Sequence, residues 1–271
     1  MSESAQHGFP ALVAFDLDDT LAASKSPLSA AMATTLSELL AVRPVCIISG
    51  GRFLQFQMQV LDRMPDGSPL TNLHLMPTCG TRYERYSEGD WHEAYAHDLA
   101  PADRDQAMAS LETRARELGL WESDDVVAGP RIEDRGSQIT YSALGQEAGV
   151  ADKKAWDPDG SKREKLRAAV AGDLPSLEVR AGGSTSIDIT SAGIDKAYGM
   201  RSLSEQTGIA LTDMLFIGDR LEPGGNDHPV RALGVPCHAV TGPGDTLDYL
   251  HSLIPSLRDG RSFDFALLSN A

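Results

Sequence analysis

Residues 11–21 read ALVAFDLDDTL, a short apolar run that ends abruptly in acids. A strand buried on both faces has this texture, because a parallel sheet covered by helices shows neither side to water. The run is therefore expected to be the first strand of such a sheet, with Asp16, Asp18 and Asp19 at its carboxyl end. Acids also stop strands and cap turns, so this stretch alone leaves a structural and a chemical reading open.

The rhythm continues outward from it. Ser26 and Pro27 supply an N-cap and first-turn signal, and Leu28, Met32, Leu36, Leu39 and Leu40 recur at helical spacing up to Val42. Pro44 ends that helix, VCIIS (45–49) reads as a second strand, a helical pattern follows the Gly50 and Gly51 pair, and LHLMP (73–77) reads as a third strand. Alternating strands and helices imply an open parallel sheet with right-handed crossovers.

From about residue 82 the pattern changes. YERYSEGDW suggests a hairpin around Glu88, Gly89 and Asp90, residues 101–119 an amphipathic helix, and 161–171 another. SQITYSA (137–143), LEVRA (177–181) and STSIDIT (184–190) alternate as half-exposed antiparallel strands do. The first rhythm then resumes, with a helix in IDKAYGMRSLSEQTG, a strand in MLFIGD (214–219) and a last strand in PCHAV (236–240). The expected fold class is α/β: a Rossmann-like open parallel sheet core with an inserted α+β cap domain carrying an antiparallel sheet. The expected boundaries are core 1–83, cap 84–191 and core 192–271. The tail from Ser256 to Ala271 suggests no role.

Composition limits the function classes. Of 271 residues 24 are Lys or Arg and 39 are Asp or Glu, a net charge of −15, so phosphate backbones and anionic headgroups are repelled and no basic patch overrides this. Nucleic acid is not an expected partner. Three cysteines, Cys46, Cys79 and Cys237, lack C-x-x-C spacing and indicate neither disulfides nor zinc. The start MSESAQHGFP has no signal-peptide pattern and no run approaches a membrane span, so a cytoplasmic protein without membrane partners is expected.

Asp16 and Asp18 follow the first strand, and Asp219 follows the late one. Ligands of open parallel sheets sit outside the carboxyl ends of the strands, so these acids can converge. Converging carboxylates repel by about 1 kcal/mol per pair at 4 Å in water and about 4 kcal/mol at an effective dielectric of 20. A divalent cation removes the conflict, and oxygen-only donors favour Mg²⁺ over zinc.

Four segments in order, FDLDDTL (15–21), IISGG (47–51), IDK (194–196) and GDRLEPGGND (218–227), resemble the four motifs of the haloacid dehalogenase superfamily. The last, with VTGPGDTLDYL (240–250), resembles the eukaryotic-type phosphomannomutase branch, whose cap lies between the second and third motifs. The resemblance implies Asp16 as nucleophile toward phosphorus and Asp18 as the acid and base that serves the leaving and accepting oxygens. It implies Lys196, Ser49 and Gly50 as phosphate-binding groups, and Asp16, Asp18, Asp219 and Asp227 as the Mg²⁺ site, with Asn226 as a further ligand or support. Lys196 in the first turn of a helix opposes the macrodipole, which leans toward a chemical role. Asp19 stands where the family pattern often has glycine.

In the resembling phosphomannomutases, cap arginines with a serine and an aspartate hold the distal phosphate and sugar hydroxyls. Here Arg135 keeps the first arginine, Gln146 replaces the second, Lys153 stands in for the third, and Ser186 and Asp188 match the serine and aspartate. Guanidinium forks grip phosphate bidentately, which glutamine cannot do and lysine does less well. A mutase must hold a second phosphate during transfer and a phosphatase need not. The sequence thus points to a Mg²⁺-dependent phosphohydrolase acting on a small phosphorylated metabolite, with a sugar phosphate as the expected class, through an aspartyl phosphate. The alternatives are a phosphomannomutase and an inactive phosphometabolite-binding protein of the same fold. A homodimer through the cap is suggested by the resemblance.

Overall fold

A computed structural model describes residues 8–182 and 185–259. The expectations for Gly183, Ser184 and the tail beyond Asp259 lie outside the described residues. The chain divides into two compact units, residues 1–96 with 195–271, and residues 97–194.

The first unit opens with β1 (Leu12–Phe15), α1 (Ala30–Leu40), β2 (Val45–Ile48), α2 (Phe53–Gln59), β3 (Leu73–Met76), β4 (Arg82–Ser87) and β5 (Asp90–Ala96). The second contains α3 (Pro101–Glu117), β6 (Ile132–Asp134), β7 (Gln138–Ser142), α4 (Val150–Trp156), α5 (Ser161–Asp173), β8 (Leu177–Ala181) and β9 (Ser186–Ser191). The chain returns to the first unit with α6 (Lys196–Thr207), β10 (Met214–Gly218), α7 (His228–Ala232), β11 (Cys237–Ala239) and α8 (Pro243–Asp259).

The seven-stranded sheet of the first unit has the order β11-β10-β1-β2-β3-β4-β5. Strands β11 through β3 are parallel and the last two antiparallel. β1 lies centrally, with Phe15 opposite Ile217 of β10 and Ile47 of β2. Val13 and Phe15 pack with Leu36, Leu39, Leu250 and Leu253 of α1 and α8. Leu12 and Ala14 face Met200, Leu203 and Val230 of α6 and α7. Helices on both sides explain the unbroken apolar run of the first strand.

Two local expectations are corrected. The α1 cap is Ser29, whose Oγ accepts from Met32 N, rather than Ser26; Leu28 N is instead taken by the Gln59 carbonyl at 2.8 Å, which keeps the chain extended one turn longer. The hairpin at 82–96 extends the large sheet, with His74 opposite Arg85 and Leu75 opposite Glu84, so a cap beginning at residue 84 is not what forms. The hairpin's alternation satisfies either sheet, and its pairing with β3 decides.

The second unit is a four-stranded antiparallel sheet, β6-β7-β9-β8, with α3 and α5 on one face. Ile139, Tyr141, Ile187 and Ile189 pack on Leu111, Leu166 and Val170. The alternate residues, among them Thr140, Ser186 and Asp188, make a polar second face. No helix of the described residues is long and apolar enough to cross a membrane.

One close approach controls where α6 begins. The turn Thr78–Gly80 holds left-handed φ at Thr78, Cys79 and Gly80, and its amides bind back, Cys79 N to the Ser49 carbonyl and Thr78 N to the Gly51 carbonyl, both at 2.9 Å. α6 crosses this turn at Gly199, where an added Cβ would stand 2.7 Å from the Cys79 carbonyl oxygen and 2.2 Å from Ile48 Cδ1. Gly199→Ala is expected to destabilise the protein by about 1–3 kcal/mol through overpacking, although alanine gains about 1 kcal/mol of helix propensity. Urea unfolding checks this, and an unchanged or raised midpoint would contradict the account.

Candidate active site

β1 ends one residue before Asp16, and β10 one residue before Asp219. Parallel pairing in register, continued by the 3.0 Å bond from Asp16 N to the Ile217 carbonyl, delivers both acids to the same sheet end. Asp227 reaches that place from the N-cap of α7. Gly218 lets it approach, since a Cβ there would lie 2.4 Å from Asp227 Oδ2. Arg220 N then donates to this oxygen at 3.1 Å.

Lys196, first residue of α6 and 2 % exposed, places Nζ 2.6 Å from Asp16 Oδ1 and 2.5 Å from Asp227 Oδ1. Its helix is capped by Asp195, whose carboxylate accepts from Tyr198 N. Asp16, Asp219 and Asp227 each offer an oxygen within 4.8 Å of the others. Two of these three carboxylates thus pair with one ammonium. Burial pushes the Asp16 carboxyl up to about 7, with Lys196 pulling it down and Asp227 pushing it further up. Asp219 is raised by burial and then by Asp227. For Lys196, burial favours the neutral amine, yet the charges of Asp16 and Asp227 prevail and hold it protonated. The surplus negative charge and the all-oxygen donor set fit a hard divalent cation.

Asp18 stands apart. Its Oδ1 accepts from Lys25 N at 2.7 Å and from Gln59 Nε2 at 3.3 Å, and it is not among the three clustered carboxylates. Two places beyond Asp16, the chain has left the strand and entered a turn, which takes the Asp18 carboxylate away from the other three. In that turn Asp19 has φ +59° and its carboxylate accepts from Ser24 N. Aspartate is among the few residues that tolerate this conformation, which accounts for an acid where glycine is usual.

Ser49 follows β2 and is buried, with Oγ accepting from Gly51 N at 3.2 Å. The Gly51 amide is therefore turned into the loop, and Gly50 sits between the two. Asn226 is exposed, unlike Asp227. Sequence reasoning missed Thr20, whose Oγ1 donates to Asp219 Oδ1 at 3.3 Å while its carbonyl accepts from Thr246 Oγ1 at 2.7 Å. It also missed Gln59, which ties Asp18 to the Ser26 carbonyl. Thr20 stood inside the first motif and could have been read; Gln59 is an unremarked position in a helix.

In the second unit, Ser186 and Asp188 lie on the polar sheet face, and Arg135 follows β6 level with Gln138. Glu133, Thr140, Asp188 and Arg180 lie in one cross-strand row. Arg135 is held by Glu133 through Nε at 2.8 Å and Nη2 at 2.7 Å, and Asp188 accepts from Thr140 Oγ1 at 2.8 Å. Lys153 is not on this sheet: it lies in α4, with Nζ donating to the Gln146 carbonyl at 3.0 Å. The two residues that replace arginines are thus bonded to each other.

The family model for eukaryotic phosphomannomutase matches residues 125–256. A phosphomannomutase of Glycine max is 23 % identical over 269 residues, covering 90 % of this chain and 96 % of its own, and one of Saccharomyces cerevisiae is 26 % identical over 258 residues, covering 89 % and 93 %. Over most of its length the chain is thus similar to eukaryotic phosphomannomutases. Among solved structures, ATP-bound IMP-nucleotidase of Plasmodium falciparum matches this fold with a TM-score of 0.70 at 17 % identity, over 96 % of this chain and 63 % of that one. A trehalose-6-phosphate phosphatase related protein matches with 0.53 at 15 % identity, over 92 % and 100 %.

Removing the shared ammonium tests the electrostatics. Lys196→Ala leaves Asp16 and Asp227 buried together without their cation, and is expected to cost about 3–5 kcal/mol in metal-free buffer. Added Mg²⁺ should recover part of that loss in chemical denaturation. Wild-type stability in the variant, or no response to Mg²⁺, would contradict the assignment.

Proposed function

We propose that the chain is a Mg²⁺-dependent phosphohydrolase of small phosphorylated metabolites, sugar phosphates first among them, acting through an aspartyl phosphate on Asp16. The observation that carries this reading is the buried Lys196 ammonium shared by Asp16 and Asp227. A carboxylate is a weak nucleophile and a phosphate monoester a dianion, so attack requires fixed positive charge where the transition state builds negative charge. Asp16, Asp219 and Asp227 would hold the metal, and bound Mg²⁺ draws charge from the phosphoryl oxygens.

The steps assigned to the protein's own groups balance. An Asp16 carboxylate oxygen attacks phosphorus, the bond from phosphorus to the substrate oxygen breaks, and Asp18 gives its proton to the departing alcohol. With Oδ1 of Asp18 taken by Lys25 N and Gln59, Oδ2 is the oxygen that carries this proton. Asp18 then accepts a proton from water as the water oxygen attacks phosphorus, which releases phosphate and restores Asp16. Ser49 and Lys196 bind the phosphoryl oxygens meanwhile. Ser186 and Asp188, on the polar face of the second unit's sheet, and Arg135 after β6 would contact the rest of the substrate, with Lys153 beside Gln146.

A second reading, phosphomannomutase, is favoured by the family model and by the names of the relatives. The cap weighs the other way, since glutamine and lysine stand where the resembling family has guanidiniums. Product analysis separates the two. Hexose 1-phosphate with Mg²⁺ is expected to give inorganic phosphate without an activating bisphosphate; a bisphosphate-dependent yield of the 6-phosphate would assign the mutase instead. Asp16→Asn is expected to lower turnover by at least about 10³-fold while sparing substrate binding.

A further inference from the structure

A cleft of about 500 Å³ opens at the other end of the large sheet, where β2 and β3 begin, with Pro44, Asn72, His74, Tyr83, Arg85 and Thr207 in its wall. All of these belong to the first compact unit. Pro44 and Asn72 precede the strands whose far ends lead to Ser49 and Thr78, so the cleft is separate from the site of Asp16. Its volume is that of an ordinary small-molecule site.

The wall carries one guanidinium beside a buried imidazole and phenol. Arg85 of β4 lies opposite His74 of β3. Its Nη2 donates to the Thr71 carbonyl at 2.8 Å, and its Nη1 stands 2.5 Å from His74 Nδ1 and 2.6 Å from His74 Nε2. His74 Nδ1 is in turn 2.7 Å from Tyr83 Oη. His74 and Tyr83 are 7 % and 4 % exposed. The imidazole stays neutral, pushed down to about 3 by burial and then by the Arg85 charge. A guanidinium only donates, and a neutral imidazole accepts once. Donors therefore outnumber acceptors in this cluster. No carboxylate lines the cleft, and Arg85 has no carboxylate partner among the described residues.

In a chain with 39 acids against 24 bases, an acid beside Arg85 would be the ordinary solution. Arg82, Arg114 and Arg135 each have one. A half-buried guanidinium left with donors to spare, backed by a buried hydroxyl and facing a cavity of ligand size, is arranged for an anion that arrives from outside.

We propose that this cleft binds a small organic oxyanion, a metabolite whose phosphate or carboxylate group is held by the Arg85 guanidinium and the Tyr83 hydroxyl. The uncharged remainder of such a ligand would rest on Pro44 and Thr207.

Site-resolved NMR on the isotope-labelled full chain tests this without reference to turnover. Inorganic phosphate, sodium acetate and sodium chloride are titrated separately at constant ionic strength and pH. The His74 ring and the backbone amides of Asn72 and Thr207 are expected to shift saturably with phosphate or with acetate, and the better of the two identifies the ligand's charged group. Chloride is expected to leave them in place. Arg85→Gln should weaken the response at least about tenfold, Arg85→Lys by less, and Asp16→Asn should not change it. The amide spectrum reports whether each variant is folded. The proposal is overturned if neither oxyanion shifts these resonances saturably, if chloride shifts them equally, or if folded Arg85→Gln and Arg85→Lys respond as the wild type does.

Discussion

One buried ammonium holds the acidic end of the sheet together. Lys196 lies between Asp16 and Asp227 at hydrogen-bond distance from both, and without it two desolvated carboxylates would face each other at a cost the fold could not easily carry. Much of the architecture serves to put that group in place. α6 starts at Lys196, its first turn is fixed by Asp195, and it crosses the turn after β3 where Gly199 removes the Cβ that would otherwise strike the Cys79 carbonyl. That turn is bound to Ser49 and Gly51. The ammonium, the Ser49 loop and the end of β1 are therefore braced as one structure.

A single cation does not neutralise the site. Asp219 remains beside Asp16 and Asp227, and both Asp16 and Asp219 are raised above ordinary carboxylates. The leftover negative charge suits a divalent cation, and in the proposed function the charge of that cation would let a dianionic phosphate approach an acidic protein. Asp18 is kept outside this cluster by Lys25 N and Gln59. Such separation suits the proton exchange proposed for Asp18.

The parallel core was legible because its strands are buried on both faces and end in acids, a pattern with few other causes. Asp16 and Asp219 could be placed together before any coordinates, since register in a parallel sheet follows from the strands themselves. Three things were not legible. The hairpin at 82–96 alternates as it would in either sheet, and only its pairing with β3 shows where it belongs. β6 and α4 are too short to carry a periodic signal. Gln59 gives no sign in sequence of its contact with Asp18, because that contact joins residues 41 positions apart through the approach of a helix to a turn.

The central claim, that the carboxylate of Asp16 takes the phosphoryl group, is tested most directly by trapping. Enzyme quenched in acid during turnover of a hexose phosphate with Mg²⁺ is reduced with borohydride, which converts an aspartyl phosphate to homoserine, and the peptide containing residue 16 is analysed by mass spectrometry. The account predicts homoserine at position 16. Intact aspartate there under conditions where phosphate is being released, or homoserine at another position, would contradict it.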